Sequence, residues 1–394
     1  MTRTTLPIDT ILPDLVAALS AHGRAVLQAP PGAGKTTRVP PALLAAGRAG
    51  RIVMLEPRRL AARASAERMA AELGEEVGQT VGYVIKGESR TSRATRIEVV
   101  TEGILTRRLQ SDPELSGVST LIFDEFHERS LQADLGLALA WEVRGALRPD
   151  LQILVMSATL DAAPVAALMD DAPVLTAEGR AFPVETFWLE TPLPRTARLP
   201  DATAELTLKA LAETDGGVLV FLPGEGEIRR SLAALTPRLP ADCTALPLYG
   251  ALPGAAQRAA LAAPRSGTRK VVLATAIAET SLTIEGIRVV VDAGRARRAR
   301  FDPGSGMSRL VTERVTRAEA EQRRGRAGRV APGTCYRLWT RGEEGAFAAY
   351  PPAEIEAADL TGLALDLAQW GAQAGELAFL TPPLQPLLRK LSRF

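Results

Sequence analysis

Three stretches of the chain combine residue types suited to phosphate chemistry. Ala29-Pro30-Pro31-Gly32-Ala33-Gly34-Lys35-Thr36-Thr37 supplies glycines that let successive backbone N–H groups point at anionic oxygens. Lys35 suits the charge of the β and γ phosphates, and the Thr36 hydroxyl suits Mg²⁺. Ala29 stands where the full phosphate-loop pattern has its first glycine, so the match lies in the C-terminal part of that pattern. The second stretch, Leu121-Ile122-Phe123-Asp124-Glu125-Phe126-His127-Glu128, is an apolar strand running into two acids about 90 residues after the lysine. Asp124 suits a metal held through its water shell, and Glu125 suits orienting or deprotonating an attacking water. His127, one of only two histidines in the chain, follows directly. The third stretch, Glu321-Gln322-Arg323-Arg324-Gly325-Arg326-Ala327-Gly328-Arg329, has four arginines in seven positions. At helical spacing, arginines three apart share a face and can meet a transferring phosphoryl group. Read alone, each stretch has a plain alternative: a glycine-rich turn, an acidic surface turn, or a solvated basic face.

The elements that must hold these residues are those of an α/β protein. Short β-branched runs at 25–29, 51–55, 96–101, 120–123 and 152–156 alternate with amphipathic stretches such as 58–73. Residues 190–201, with three prolines, read as a loop. A second series of runs follows at 217–222, 245–248, 271–275, 288–291 and 334–339. After about residue 345 the strands stop, and 355–370 reads as a helix. Between the last two runs, extended segments at 289–292 and 308–312 flank Asp302-Pro303-Gly304-Ser305-Gly306, a turn sequence, and predict an arginine-lined hairpin.

Composition narrows the class. The 394 residues are 46% hydrophobic and 23% charged, which excludes disorder, collagen and coiled coil as the main state. Lys+Arg 47 against Asp+Glu 45 leaves a net charge of +2, so any basic surface is local. Only five of those cations are lysines, a bias that fits GC-rich coding and makes Lys35 stand out. Cys243 and Cys335 lie far apart without CxxC spacing, which points to neither a disulfide framework nor a zinc site. No apolar run reaches bilayer length and the N-terminus lacks the form of a signal peptide, so a cytoplasmic protein is expected.

PPGAGKTT, DEFH, Ser157-Ala158-Thr159 and QRRGRAGR, in that order, resemble the DEAH-box branch of superfamily 2 helicases. LEPRRLAAR at 55–63, TEG at 101–103 and ATAIAETSLTIEG at 274–286 agree. The resemblance spans about residues 10–370. It implies a P-loop NTPase with two tandem RecA-like domains, 1–175 and 176–345, followed by the start of a winged-helix or helical segment at 346–394. It implies ATP, or another NTP, with Mg²⁺ hydrolysed between the two lobes, movement 3′ to 5′ along a single strand of RNA rather than DNA, and a monomer with no membrane partner. Carried onto matching positions, Gly32, Ala33, Gly34, Lys35, Thr36 and Thr37 hold the triphosphate and Arg68 stacks on the base. Thr36, Asp124 and Glu125 serve the metal and the water. His127, Ser157 and Thr159 couple the nucleotide to the nucleic-acid path. Gln322, Arg326 and Arg329 meet the γ-phosphate, while Arg59, Thr101 and Thr275 touch the strand backbone. Ala276 stands where many DEAH proteins have Asn, which removes a polar group there. A second reading takes the stop at Phe394 as truncation before the accessory domains, leaving a nucleotide- and RNA-binding ATPase that unwinds poorly. A P-loop kinase or GTPase switch explains the phosphate loop but leaves the arginine block without a role.

Overall fold

The structure is a computed structural model that describes residues 5–158, 162–179, 182–279, 284–302, 304–305 and 307–383. The chain divides into two compact units. One comprises 1–179, 301–308 and 352–394; the other comprises 180–300 and 309–351. The sequence reading treats 346–394 as a segment of its own, whereas residues from 352 onward group with the first unit.

In the first unit the strands are β1 (Arg24–Gln28), β2 (Arg51–Glu56), β3 (Val81–Ile85), β4 (Glu88–Arg90), β5 (Ile97–Thr101), β6 (Val118–Phe123), β7 (Gln152–Ser157) and β8 (Val174–Thr176). They form one sheet in the order β4-β3-β5-β2-β6-β7-β1-β8. Every described pairing is parallel except β3 with β4. A parallel sheet is covered on both faces, so its strands are apolar throughout and successive side chains feed opposite cores. Along β2, Ile52 and Met54 join the core under helices Leu12–His22, Lys35–Ala45 and Arg59–Leu73. Val53 and Leu55 join the other core, with helices Glu102–Ser111 and Leu131–Ala146. That second core also takes in Ile355, Leu360, Leu363, Leu367, Leu377 and Phe379 from the end of the chain. The stretch read as one helix is two here, Glu354–Ala357 and Thr361–Trp370.

In the second unit, β9 (Val184–Leu189), β10 (Gly217–Phe221), β11 (Cys243–Leu248), β12 (Arg269–Ala274), β13 (Ile287–Asp292) and β16 (Gly333–Thr340) form a sheet ordered β11-β12-β10-β13-β16-β9, parallel throughout. The stretch read as a loop at 190–201 ends inside helix Leu199–Glu213, with Pro200 in the first turn, where its missing N–H costs nothing. The expected hairpin exists with different arms. Val289–Asp292 belongs to the central strand β13, and the two-stranded ribbon is β14 (Arg295–Asp302) with β15 (Met307–Arg314). Asp302 closes its turn by accepting hydrogen bonds from Gly304 N at 3.0 Å and Ser305 Oγ at 2.9 Å.

Candidate nucleotide-hydrolysis site

Register brings the first unit's functional residues to one edge. Thr101 of β5 lies beside Glu56 of β2, Leu55 beside Phe123 of β6, and Ser157 of β7 beside Gln28 of β1. Each strand therefore ends at the same carboxyl edge, where open α/β sheets bind ligands.

The glycine-rich loop leaves β1 there. Ala29 N donates to Ser157 O at 3.0 Å, and Ile8 N donates to Ala33 O at 3.1 Å. Gly34 has φ +96°, a backbone conformation that favours glycine, and a Cβ on it would also press on the Leu6 side chain. Lys35 begins the helix that follows and is buried.

The Lys35 ammonium is buried 3.0 Å from Glu125 Oε1. The Thr36 hydroxyl donates to Asp124 Oδ2 at 2.6 Å, and Glu125 N donates to Asp124 Oδ1 at 2.8 Å. Burial opposes the charge on Lys35, but Glu125 and Asp124 outweigh it and hold the ammonium above its ordinary value. Burial pushes the Asp124 carboxyl up to about 6; Lys35 pulls it down and Glu125 adds to the rise. Glu125 itself has φ +51°, an uncommon conformation for a non-glycine residue and one that its surroundings must enforce.

His127 Nδ1 accepts a hydrogen bond from Ala158 N at 3.3 Å, and its Nε2 lies 3.4 Å from Glu125 Oε2. Burial lowers the imidazole's pKa, so the ring is neutral at pH 7, and a neutral ring leaves Nδ1 free to accept. Ser157 is buried at the end of β7, and Thr159 lies outside the described residues.

One carboxylate here was not singled out from sequence. Glu56 ends β2 fully buried, and burial together with Asp124, Glu125 and Glu128 drives its pKa far up. The signal was present in the same form as at Asp124, an apolar strand ending in an acid.

The remaining expected site residues spread more widely. Thr37 is half-buried one residue past Thr36, and Gly32 has φ +86° on the exposed side of the loop. Arg59 is exposed at the start of its helix, and Thr101 precedes helix Glu102–Ser111. Arg68 is 66% exposed and pairs with Glu72 at 2.8 Å, which in turn binds Arg38 of the phosphate-loop helix at 3.0 Å.

In the second unit, Thr275 follows β12 at the equivalent carboxyl edge. The arginine block forms helix Arg317–Gly325 and the loop after it. Arg323, part of the arginine stretch but given no role of its own by the resemblance, is held by two carboxylates. It is 1% exposed, bound to Glu279 at 2.5 Å and Asp292 at 2.8 Å, and lies over the Phe221 ring at 5.0 Å. Arg326 Nε donates to Glu279 O at 2.8 Å, while Gln322 and Arg329 are half-buried. The ribbon's arginines carry less free charge than their number suggests. Arg298 pairs with Glu319 at 2.5 Å and with Glu313, and Arg300 pairs with Glu313 at 2.7 Å.

Thr36 and Asp124 present two hard oxygen donors, a set that suits Mg²⁺ arriving with substrate phosphates and retaining waters. Among the described residues no cluster of three or more His, Cys, Asp or Glu forms a protein-only metal site. No helix among them is long and apolar enough to cross a membrane.

Residues 12–168 match the DEAD/DEAH box helicase family and residues 200–331 match the helicase conserved C-terminal domain. The chain is 50% identical over 386 residues to the ATP-dependent RNA helicase HrpB of Escherichia coli, covering 97% of this chain and 48% of that protein. It is 39% identical over 350 residues to the pre-mRNA-splicing factor ATP-dependent RNA helicase prp22 of Schizosaccharomyces pombe, covering 86% of this chain and 30% of that one. A crystal structure of the E. coli DEAH/RHA helicase HrpB superposes with a TM-score of 0.94 at 49% identity, over 98% of this chain and 50% of that structure. The chain thus spans about half the length or less of the relatives it matches.

Proposed function

Since the chain belongs to the DEAD/DEAH box helicases, with two RecA-like helicase domains, we propose that it is an RNA-stimulated NTPase that uses ATP and Mg²⁺ to move along single-stranded RNA and open duplexes. The observation that carries this reading is the buried Lys35–Glu125 pair beside the Thr36–Asp124 hydrogen bond, at the foot of a glycine-rich loop. Relatives named as RNA helicases support RNA as the strand.

In this reading the loop amides and Lys35 bind the β and γ phosphates. Thr36 and Asp124 would hold Mg²⁺, which neutralises phosphate charge when bound. Glu125 orients the attacking water and accepts its proton. Gln322, Arg326 and Arg329 of the second domain offset charge on the γ-phosphate. Arg68 packs on the base from an exposed position, which leaves the choice among NTPs loose. His127, joined to Ala158, carries the state of Glu125 into the segment after β7. Arg59, Thr101 and Thr275 contact sugar and phosphate, which gives affinity without sequence reading. We place this monomer in the cytoplasm.

The test is ATP turnover with and without single-stranded RNA at two salt concentrations. RNA stimulation should weaken as salt rises, because contacts to the backbone release counterions. Turnover that ignores RNA, or single-stranded DNA that stimulates better than RNA at both salts, overturns the RNA reading.

A further inference from the structure

The hydrolytic turn is held at its front by the phosphate loop and at its back by the end of the chain. Glu125 and Arg129 both have φ +51°, and a single 3-10 turn, Phe126–Glu128, separates them. Two left-handed non-glycine residues so close persist only where their surroundings over-determine them. Within the turn, Glu128 N donates to Glu125 O at 2.9 Å and Arg129 N to Phe126 O at 3.1 Å. The remaining groups at the back are taken by residues far away in sequence. Arg129 O accepts from Glu354 N at 3.0 Å, and the Glu354 carboxylate accepts from Leu131 N at 2.8 Å. The Arg129 guanidinium donates to Asp134 at 3.2 and 3.0 Å and to Thr381 Oγ1 at 2.9 Å.

Packing fastens the same segment. Phe126, inside the turn, is buried in the core that contains Ile355, Leu363, Leu367 and Phe379. Two hydrogen bonds tie the helix Thr361–Trp370 to its neighbours: Gln110 Nε2 donates to Asp366 Oδ1 at 2.9 Å, and Trp370 Nε1 donates to Glu142 Oε2 at 2.7 Å.

We propose that residues 353–381 are a positioning element for hydrolysis: Glu354 and Thr381, acting through Arg129 and the Leu131 amide, fix the turn that aims the Glu125 carboxylate. This rests on the reading of Glu125 as the residue that handles the attacking water. Glu354 and Thr381 meet the turn through Arg129 and the Leu131 amide. Their effect is on aim, and a displacement near 1 Å in a catalytic group costs roughly 10²-fold in rate.

The experiment compares Glu354→Ala, Glu354→Gln and Thr381→Val in the whole chain, measuring steady-state ATP turnover, binding of a fluorescent ATP analogue and melting temperature. Because the phosphate loop and Lys35 are untouched, Glu354→Ala should lower kcat roughly ten- to hundredfold while KM and analogue Kd change by less than about threefold. Glu354→Gln retains an oxygen that accepts from Leu131 N and should recover most of kcat. Thr381→Val removes one hydroxyl and should cost a few-fold in kcat; it also keeps the test valid should Glu354→Ala fail to fold. Unchanged kcat in the folded variants overturns the proposal, as does a parallel loss of kcat, analogue affinity and melting temperature. A wild-type chain that turns over no ATP, or a Glu125→Gln variant with wild-type kcat, overturns the hydrolytic reading itself and is distinguishable from both.

Discussion

The two domains treat charge at their sheet edges in opposite ways. In the first, the cation Lys35 faces Glu56, Asp124 and Glu125; burial, with the neighbouring carboxylates adding to it, raises Asp124 to about 6 and Glu56 far above its ordinary range. In the second, Arg323 sits between Glu279 and Asp292. Burial works against its charge, and those two carboxylates more than compensate, holding the guanidinium firmly protonated. An acid-rich cluster is complementary to a further cation; a balanced one is a brace. Asp124 and Asp292 both end apolar strands, LIFD and VVVD, and sequence alone does not separate their roles. What separates them is the neighbour: a glycine loop and a lysine in one case, a buried arginine in the other.

The largest effect that can test this contrast lies in the acid-rich cluster. Lys35→Ala and Glu125→Gln should each lower ATP turnover by roughly 10²- to 10⁴-fold, with thermal melts checking that each variant is folded at the assay temperature. Wild-type turnover in both would remove the first domain from the chemistry. Next comes the brace. Arg323→Ala strands two buried carboxylates and should destabilise the chain by about 3–5 kcal/mol in urea unfolding. Arg329→Ala, at a half-buried position, should lower turnover about tenfold or more and cost less stability than Arg323→Ala. Equal stability losses in the two variants would erase the distinction between brace and functional arginine.

A smaller, pH-dependent effect belongs to Glu102, beside the turn. Burial pushes its carboxyl up to about 7 although Ser130 donates to it at 2.7 Å. A folded-state value above the unfolded one means the stabilising contribution is complete below about pH 4.5 and is lost as pH rises through about 7. Glu102→Gln stays neutral, so its melting temperature should gain on wild type by a few degrees between about pH 5 and pH 8. A constant difference across that range would show that Glu102 carries no buried charge. The smallest effect is at Arg68, whose exposed pair with Glu72 is worth no more than about 0.5 kcal/mol. Arg68→Ala should weaken ATP and GTP by the same few-fold factor; loss for ATP alone would mean that the residue reads the base.

Much of the fold was legible because buried parallel strands announce themselves as unbroken apolar runs. The five runs of the first series became β1, β2, β5, β6 and β7, each displaced by no more than two residues. Of the strands that escaped notice, β4, β8 and β9 are short or at edges, where burial is partial and the pattern is correspondingly weak; β3 is buried and internal, and its apolar run Val81–Ile85 was overlooked. In the site, the loop lysine and the paired acids were legible because their types are unusual in combination. Glu56, Arg323 and Glu354 were not, because an acid ending a strand or one arginine among four has no meaning until the fold supplies its partners. The ribbon shows the reverse error: counting arginines overstates free charge where glutamates on the facing strand and the next helix take it up.

The shared core of Phe126 and residues 353–379 sets a timetable for synthesis. Domains tend to fold as they emerge from the ribosome, N-terminal part first. The first domain cannot finish in that order, because its wall is made after the whole second domain; the Gln110–Asp366 bond joins residues 256 positions apart. Nascent chains that already display the phosphate loop and both acids therefore lack the contacts that Glu354 and Thr381 make to the turn at 125–129, which form only after the second domain has been made.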